Sequence, residues 1–280
     1  MILIADSGST KTNWIAINKD GSEVFKVNTE GLNPSVLNID VLKNRIYNCK
    51  ELFTFKDEIE EIHFYGAGCG TATPVKKLYS VLHALFENAT IDIKEDSTAA
   101  VYAFNKEPAI VCILGTGSNC TLFDGEKVHQ KITSLGYSIM DDASGNYFGR
   151  ILLRDYYFNK MPKEFANKFE AQFNLDADFI KTNLYNKENP NTYLAHFAEF
   201  LMSHKKNDYA QSIIHKGLTQ FIENQILQYN ESKTLKVNFV GSIAYFLEEE
   251  IKELFKTYHL NFGNVKRHPI NGLVAYHLNS

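Results

Sequence analysis

The chain has only four cysteines, Cys49, Cys69, Cys112 and Cys120, and no two of them form a C-x-x-C pair. Neither a zinc site nor an iron–sulfur motif is spelled out, and reduced thiols are expected. Basic residues are not in excess either. The 29 Lys plus Arg stand against 33 Asp plus Glu, a net charge of −4, which leaves no electrostatic footprint for a nucleic-acid phosphate backbone. The apolar run in the opening MILIADSGST is far too short to span a bilayer, and the segment lacks both a basic n-region and a cleavage site. A cytoplasmic protein acting on a small molecule is expected, with neither nucleic acid nor membrane as partner. The sequon Asn88-Ala89-Thr90 has no meaning without secretion.

Two familiar glycine motifs are also missing. Gly8 to Thr12 has no glycine at the spacing before Lys11 that a Walker A loop requires, so P-loop chemistry is excluded on pattern. GAGCG at Gly66 to Gly70 follows a strand but is not a G-x-G-x-x-G, and it reads as close packing at a lobe interface. No low-complexity segment or flexible linker interrupts the chain. Its 280 residues suffice for two lobes with proper cores.

What is present is a repeated unit. Ala109 to Phe123, AIVCILGTGSNCTLF, is an apolar run, a glycine-bracketed polar turn and a second apolar run, and Ile2 to Ile17, ILIADSGSTKTNWIAI, has the same form. Both read as strand, tight turn and returning strand. Gly8-Ser9 and Gly117-Ser118 occupy matching places. Each turn taken alone has ordinary turn residues. The pair suggests an internal duplication whose turns bring backbone N–H groups close to phosphate, because no Cβ intervenes. Asp6, at the end of the first strand, stands where strand termini deliver functional groups.

DSGSTKT at Asp6 to Thr12 and ILGTGSNC at Ile113 to Cys120 resemble the two phosphate motifs of the actin/hexokinase/Hsp70 ATPase superfamily. Within it, the GTGSNC string is similar to N-acetylglucosamine kinases and the related BadF/BadG/BcrA/BcrD-type ATPases. The resemblance implies an α/β, ribonuclease H-like fold of two lobes, with duplicated mixed sheets flanked by helices and ATP in the cleft. The lobes are expected over residues 1–107 and 108–280, joined near Lys106 to Pro108, with a helical insert at about residues 160–230 of the second. The reaction implied is transfer of phosphoryl from ATP to a hydroxyl of an N-acetylated amino sugar, N-acetylglucosamine at its sixth position.

The same resemblance distributes roles. Gly8, Ser9, Thr10, Lys11 and Thr12, with Gly115, Thr116 and Gly117, take the ATP phosphates, and Asp6 holds Mg²⁺ through water. Gly241-Ser242, between a strand and a helix, is similar to the adenosine motif. Gly217, inside a periodic helix where glycine needs a packing or functional reason, is given an adenosine contact. Asn33, in Gly31-Leu32-Asn33-Pro34, binds the sugar, joined by Ser118, Asn119, Cys120, Tyr137 and Asp142. On local evidence Asn33 is equally a turn-former next to proline. Asp96, where a strand meets a helix in Asp96-Ser97-Thr98-Ala99-Ala100, is both a natural N-cap and the family's proton acceptor. A reference pKa of about 3.9 leaves it ionised at pH 7.

The chain also departs from the family. Tyr137 stands where members carry Gly-Trp-Gly, and Asp141-Asp142-Ala143-Ser144-Gly145 stands for Gly-Asp-Glu-Gly-Ser. Asp142 is matched to the family aspartate and Ala143 to its glutamate, with helix capping by Asp142 or Ser144 as the alternative. The sugar is therefore left open among N-acetylglucosamine, N-acetylmuramic acid, glucosamine and N-acetylmannosamine. Also open are a homodimer, an activase of the BadF/BadG type and a sugar-sensing module without catalysis. His196, His204 and His215 do not converge on a metal site and read as surface or core residues.

Overall fold

The computed structural model describes residues 1–104 and 107–278. The chain parts into two compact units, Met1–Lys106 with His268–Ser280, and Glu107–Arg267. In chain order the first contains β1 (Ile2–Ser7), β2 (Lys11–Ile17), β3 (Glu23–Glu30), α1 (Ile39–Tyr47), α2 (Lys50–Thr54), β4 (Glu61–Gly66), α3 (Ala72–Leu85), β5 (Thr90–Glu95) and α4 (Asp96–Tyr102). The second contains β6 (Ala109–Leu114), β7 (Ser118–Phe123), β8 (Val128–His129), α5 (Gly145–Tyr157), α6 (Lys163–Gln172), α7 (Ala177–Tyr185), α8 (Pro190–Ser203), α9 (Asp208–Asn224), β9 (Lys236–Val240), α10 (Ser242–Phe246), α11 (Glu248–Tyr258) and β10 (Asn261–Lys266). The closing helix, α12 (Ile270–Leu278), returns to the first unit. Lys106, the start of the expected join, lies outside the described residues.

Each unit has one five-stranded mixed sheet, ordered β3-β2-β1-β4-β5 in the first and β10-β9-β6-β7-β8 in the second. Read from the antiparallel edge, the second is β8-β7-β6-β9-β10, which is the order of the first. In both, the first hairpin is antiparallel and the last two strands run parallel to the hairpin's first strand. The architecture is that of the actin-like ATPases, with the duplication the two turn motifs imply.

The central strands are apolar on both faces because both are covered. Leu3, Ala5, Trp14 and Ala16 enter one core of the first unit, with Ile62 and Phe64. Ile4, Ile15 and Ile17 point the other way and are covered by Ala99, Ile270 and Leu273. That second face explains why α12 belongs here and not to a lobe running 108–280: without it, three buried isoleucines would lie bare. In the second unit the helical insert buries Phe165, Phe169, Ile214, Leu218 and Phe221 in one core with Ile110, Cys112 and Leu114 of β6.

Two helical stretches are each broken in two. The first unit's stretch 40–53 parts at Asn48-Cys49, where Cys49 turns extended. The 243–255 stretch parts at Leu247, beyond which Glu248, Glu249 and Glu250 supply the acidic first turn of a new helix. β8 is only two residues long, and past it the chain is held from the side, by the Lys131 amide donating to Tyr229 Oη at 3.1 Å. Among the described residues no helix is long and apolar enough to cross a membrane.

Candidate functional site

In the first unit the β1–β2 turn is closed by the Gly8 amide donating to the Lys11 carbonyl at 3.0 Å. It is braced from below by hydroxyls. Ser7 Oγ and Thr12 Oγ1 lie 2.8 Å apart, Ser7 Oγ accepts the Leu32 amide at 3.1 Å, and Thr12 Oγ1 donates to the Glu30 carbonyl at 3.2 Å. Thr12 is fully buried, so the threonine assigned to phosphate is a brace. Its alternation partner Lys11 stays exposed, as do Gly8 and Thr10. A Cβ on Gly31 would come within 2.3 Å of the Ser9 carbonyl oxygen, whereas one on Gly8 would meet nothing nearer than the Lys11 carbonyl at 3.8 Å. Packing therefore explains Gly31 and leaves Gly8 unexplained by anything in the protein.

The carboxyl ends of β1, β4 and β5 lie side by side, with Asp6 opposite Tyr65 and Tyr65 opposite Lys94. Asp6 stands on the first of these ends and Asp96 just past the last, the place where open α/β sheets present their chemistry. Asp96 is the first residue of α4 and not its cap; the cap position is Glu95. Burial pushes the Asp96 carboxyl up to about 7, helped by Glu95 and then by Asp6. Burial likewise raises Asp6 to about 6, against a lowering contact from Asn13 Nδ2 at 3.4 Å. Neither aspartate has an ion-pair partner among the described residues. Two carboxylates are thus held with their charge uncompensated.

The GAGCG turn threads between these groups, and its close packing has partners inside the first unit. A Cβ on Gly68, at φ +79°, would overlap the Asn33 side chain at 2.1 Å, and one on Gly70 would lie 2.7 Å from Glu95 Oε1. Cys69, between them, is buried and its thiol is pushed up by burial and then by Asp96 and Glu95. Asn33 Oδ1 accepts the Ser35 amide at 2.9 Å, and Ser35 Oγ donates to the Gly68 carbonyl at 2.9 Å. The local turn role of Asn33 is real, and the turn sets it against the Gly66–Gly70 loop, whose Gly70 packs on Glu95.

In the second unit the β6–β7 turn is held by the N-terminus of α5. The Gly145 amide donates to the Gly115 carbonyl at 2.8 Å, and Asn146 donates to the Thr116 carbonyl from its main chain at 3.0 Å and from Nδ2 at 2.7 Å. With the Gly115 and Thr116 carbonyls turned into the helix, a Cβ on Gly115 would find nothing within 4 Å. Gly241, at φ +122°, lies against the same turn: a Cβ there would meet the Leu114 carbonyl at 2.2 Å and the Gly115 amide at 3.1 Å. Ser242 opens α10 beside it. Ser118 Oγ is buried with no hydrogen-bond partner among the described residues, a vacancy in polar pairing that native interiors seldom leave.

The acidic string is resolved by its cap. Ser144 is the N-cap of α5, accepting from the Tyr147 amide at 3.2 Å. With Ser144 matched to the serine of Gly-Asp-Glu-Gly-Ser, Asp141 falls on the aspartate, Asp142 on the glutamate and Ala143 on the glycine. Backbone geometry agrees, since Ala143 has φ +57°, the region glycine favours. Asp141 is buried, takes a 2.8 Å hydrogen bond from Asn146 Nδ2 and lies where a Cβ on Gly117 would approach Oδ2 to 2.8 Å. Burial raises its pKa, partly offset by Asn146 and the Ser118 amide. Asp142 instead accepts from Asn224 Nδ2 at 2.9 Å. Asp141 is the residue that sequence reading passes over, and anchoring the motif on its serine would have found it.

Three further assignments land away from this turn. Cys120 is fully buried with its thiol 3.5 Å from that of Cys112 in the core. Gly217 is where α9 crosses α5: a Cβ would lie 2.8 Å from both Tyr147 and Phe148, which is a packing reason for the glycine. Tyr137 is half-buried against the second core. Asn119 Oδ1 is occupied by the Cys120 amide at 2.8 Å and Gln130 Nε2 at 3.2 Å. No group of three or more His, Cys, Asp or Glu residues suited to a metal occurs among the described residues.

Comparison with solved structures places this geometry. A protein from Porphyromonas gingivalis, provisionally named an N-acetylglucosamine kinase, is 31% identical, with a TM-score of 0.92 over 100% of this chain and 99% of its own. A provisionally named N-acetylglucosamine kinase from Chromobacterium violaceum aligns with a TM-score of 0.79 at 14% identity, over 98% of each chain. A ROK-family glucokinase from Streptomyces griseus, solved with glucose and AMPPNP, gives 0.59 at 12% identity, over 98% of this chain and 97% of its own. The latter two share the fold. No protein-family model matches the chain, and no curated protein does.

Proposed function

The chain belongs to the family of the Porphyromonas gingivalis protein, the sugar kinases of actin-like ATPase fold, and on that premise we propose that it transfers the γ-phosphoryl group of ATP to O6 of an N-acetylated amino sugar, N-acetylglucosamine foremost. The observation that carries the reading is the pair of aspartates, Asp6 and Asp96, at the carboxyl ends of the parallel strands β1 and β5 on either side of β4, with raised pKa values and no cation partner among the described residues.

Asp6 fits a divalent cation: a half-buried carboxylate whose polar contact is Asn13, with no cation beside it among the described residues, is stabilised by one. Bound Mg²⁺ would supply neutralisation of phosphate charge. The Gly8 and Gly115 amides already donate to the Lys11 and Gly117 carbonyls, and the room that the two glycines leave above each turn lets phosphate oxygens approach the backbone around them. Gly241 and Ser242 border the second turn on the adenosine side. Asp96 accepts the proton of the attacking hydroxyl, and a pKa near 7 suits a base working near neutrality. Asn33 and Asp141 orient the sugar, Asp141 taking the role first matched to Asp142.

Within the superfamily, the BadF/BadG/BcrA/BcrD branch includes activases, which need cysteines able to reach a shared iron–sulfur cluster. Cys69, Cys112 and Cys120 are buried here and only Cys49 is partly open, which supports the kinase over the activase. A coupled assay of ADP release over N-acetylglucosamine, N-acetylmannosamine, N-acetylmuramic acid, glucosamine and glucose tests the proposal. N-acetylglucosamine is expected to give the highest kcat/KM. Preference for an unacetylated hexose would overturn the substrate, and no sugar-dependent ADP release would overturn the kinase.

A further inference from the structure

Two loops carry side chains that the reading above gives to the sugar: residues 31–37, with Asn33, and residues 136–141, with Asp141. Neither loop belongs to a sheet ladder. Each is held by a basic side chain that reaches over from a helix and spends its donors on main-chain carbonyls. Lys77 of α3 donates from Nζ to the Pro34 carbonyl at 2.7 Å and the Leu37 carbonyl at 3.0 Å. Arg150 of α5 donates from Nη1 to the Tyr137 carbonyl at 2.8 Å and the Ser138 carbonyl at 3.2 Å.

Long basic side chains on helix surfaces ordinarily extend into water, and ordering one sacrifices considerable rotamer freedom. Among the described residues neither Lys77 nor Arg150 makes a close ion pair; Arg150 also lies over the Tyr147 ring, 6.0 Å from its centroid, and its charge helps to lower the Asp141 pKa. Their hydrogen bonds go to two carbonyls apiece, and such charge-assisted bonds are stronger than neutral ones. In each loop the contact falls close to the residue of interest: Pro34 directly follows Asn33, and the clamped Ser138 stands three residues before Asp141. Asn33 is further confined by Gly68, whose missing Cβ leaves just enough room for its side chain.

We propose that Lys77 and Arg150 are positioning residues for the sugar, each fixing one substrate loop through a pair of main-chain carbonyls without touching the reacting atoms. The proposal rests on the sugar-kinase reading and deepens it. It separates sugar binding from phosphoryl transfer, because neither clamp touches the Gly8 or Gly115 turn.

The test uses Lys77→Met and Arg150→Met with the conservative Lys77→Arg and Arg150→Lys, each assayed for both substrates and for melting temperature. The Met variants are expected to raise the sugar KM by about tenfold while the ATP KM stays within about twofold. The conservative variants should recover most of that loss, since a cation can still reach the carbonyls. Equal rises in both KM values, or an unmoved sugar KM, would overturn the proposal. If a Met variant does not fold, its conservative partner decides: a sugar KM raised about threefold at an unchanged melting temperature supports the clamp, and an unaltered one overturns it. A wild-type enzyme that phosphorylates no amino sugar would instead sink the kinase reading itself.

Discussion

The two units share a strand order, yet they brace their hairpin turns by different means and carry different chemistry. In the first, side-chain hydroxyls hold the turn: Ser7 and Thr12 bond to each other and to the neighbouring main chain. In the second, a helix N-terminus does so, through Gly145 and Asn146. The strand ends differ more. β1 and β5 of the first unit lead to Asp6 and Asp96, whereas β6 and β9, in the second, lead to Gly115 and Gly241. Both copies of the fold leave open backbone at a turn glycine, Gly8 and Gly115; the first adds two carboxylates without a cation partner, and the second a third carboxylate, Asp141, that is already hydrogen-bonded. Duplication of a topology fixes where strand ends lie and leaves free which side chains stand there.

The largest effect should come from removing the chemical side of this asymmetry. Asp96→Asn keeps the shape and most hydrogen bonds but cannot accept a proton, so kcat should fall about 10² to 10⁴-fold with sugar affinity nearly unchanged. The Asp96 carboxylate also accepts from the Ser97 amide in the first turn of α4, and asparagine keeps an oxygen for that bond, so loss of capping does not compete with loss of the base. Near-wild-type kcat at saturating sugar would remove Asp96 from the mechanism.

Glycine substitutions sharpen the contrast between open and packed backbone. At Gly115 and Gly8 a methyl group enters empty space, so folding stability should hold within about 0.5 kcal/mol. The ATP KM should nevertheless rise by about tenfold or more, since the methyl occupies room that phosphate needs. Gly31→Ala should do the reverse of the stability result, costing about 1 to 3 kcal/mol because its Cβ overlaps the Ser9 carbonyl at 2.3 Å. Denaturant titration and ATP kinetics on the three variants check this. If Gly115→Ala and Gly8→Ala bind ATP normally, the turns are not phosphate cradles.

The features legible in sequence are those with local causes. Both hairpins, their glycine turns and Asp6 at a strand end follow from apolar runs interrupted by turn residues. Thr12 and Cys120 are misread because strand alternation, once paired into a sheet, sends every second side chain inward, and which parity is inward is decided by the cores. Asp141 is missed for a one-residue reason: matching aspartate to aspartate ignored that Ser144 must cap α5, a constraint with its own local signature. The assignment of α12 to the first unit was out of reach locally, since it depends on Ile4, Ile15 and Ile17 needing cover from residues more than 250 positions along the chain.

The smallest effect is a dependence of stability on pH that only the acidic strand ends of the first unit produce. An ordinary aspartate titrates near 3.8, and in the folded protein Asp96 is raised to about 7. Between those values the folded state holds a proton that the unfolded chain has released. The protonated group's contribution is therefore fully present below about pH 4 and is lost as pH rises through about 7. Asp6, raised to about 6, adds in the same direction over a narrower window. Asp96→Asn removes the larger part of this cost, because an amide carries no charge to desolvate. The variant should accordingly gain on the order of 1 to 2 kcal/mol over the wild type at pH 8, after allowance for partial solvent screening, or about 2 to 4 °C in melting temperature. At pH 4.5 the two proteins should melt nearly together. The substitution that costs the most activity is thus expected to stabilise the fold, as when a buried charge is kept for function. Melting curves of both proteins at pH 4.5, 6 and 8, without Mg²⁺ or nucleotide, measure it, and a difference that stays constant across the three would show that Asp96 is not held at a raised pKa.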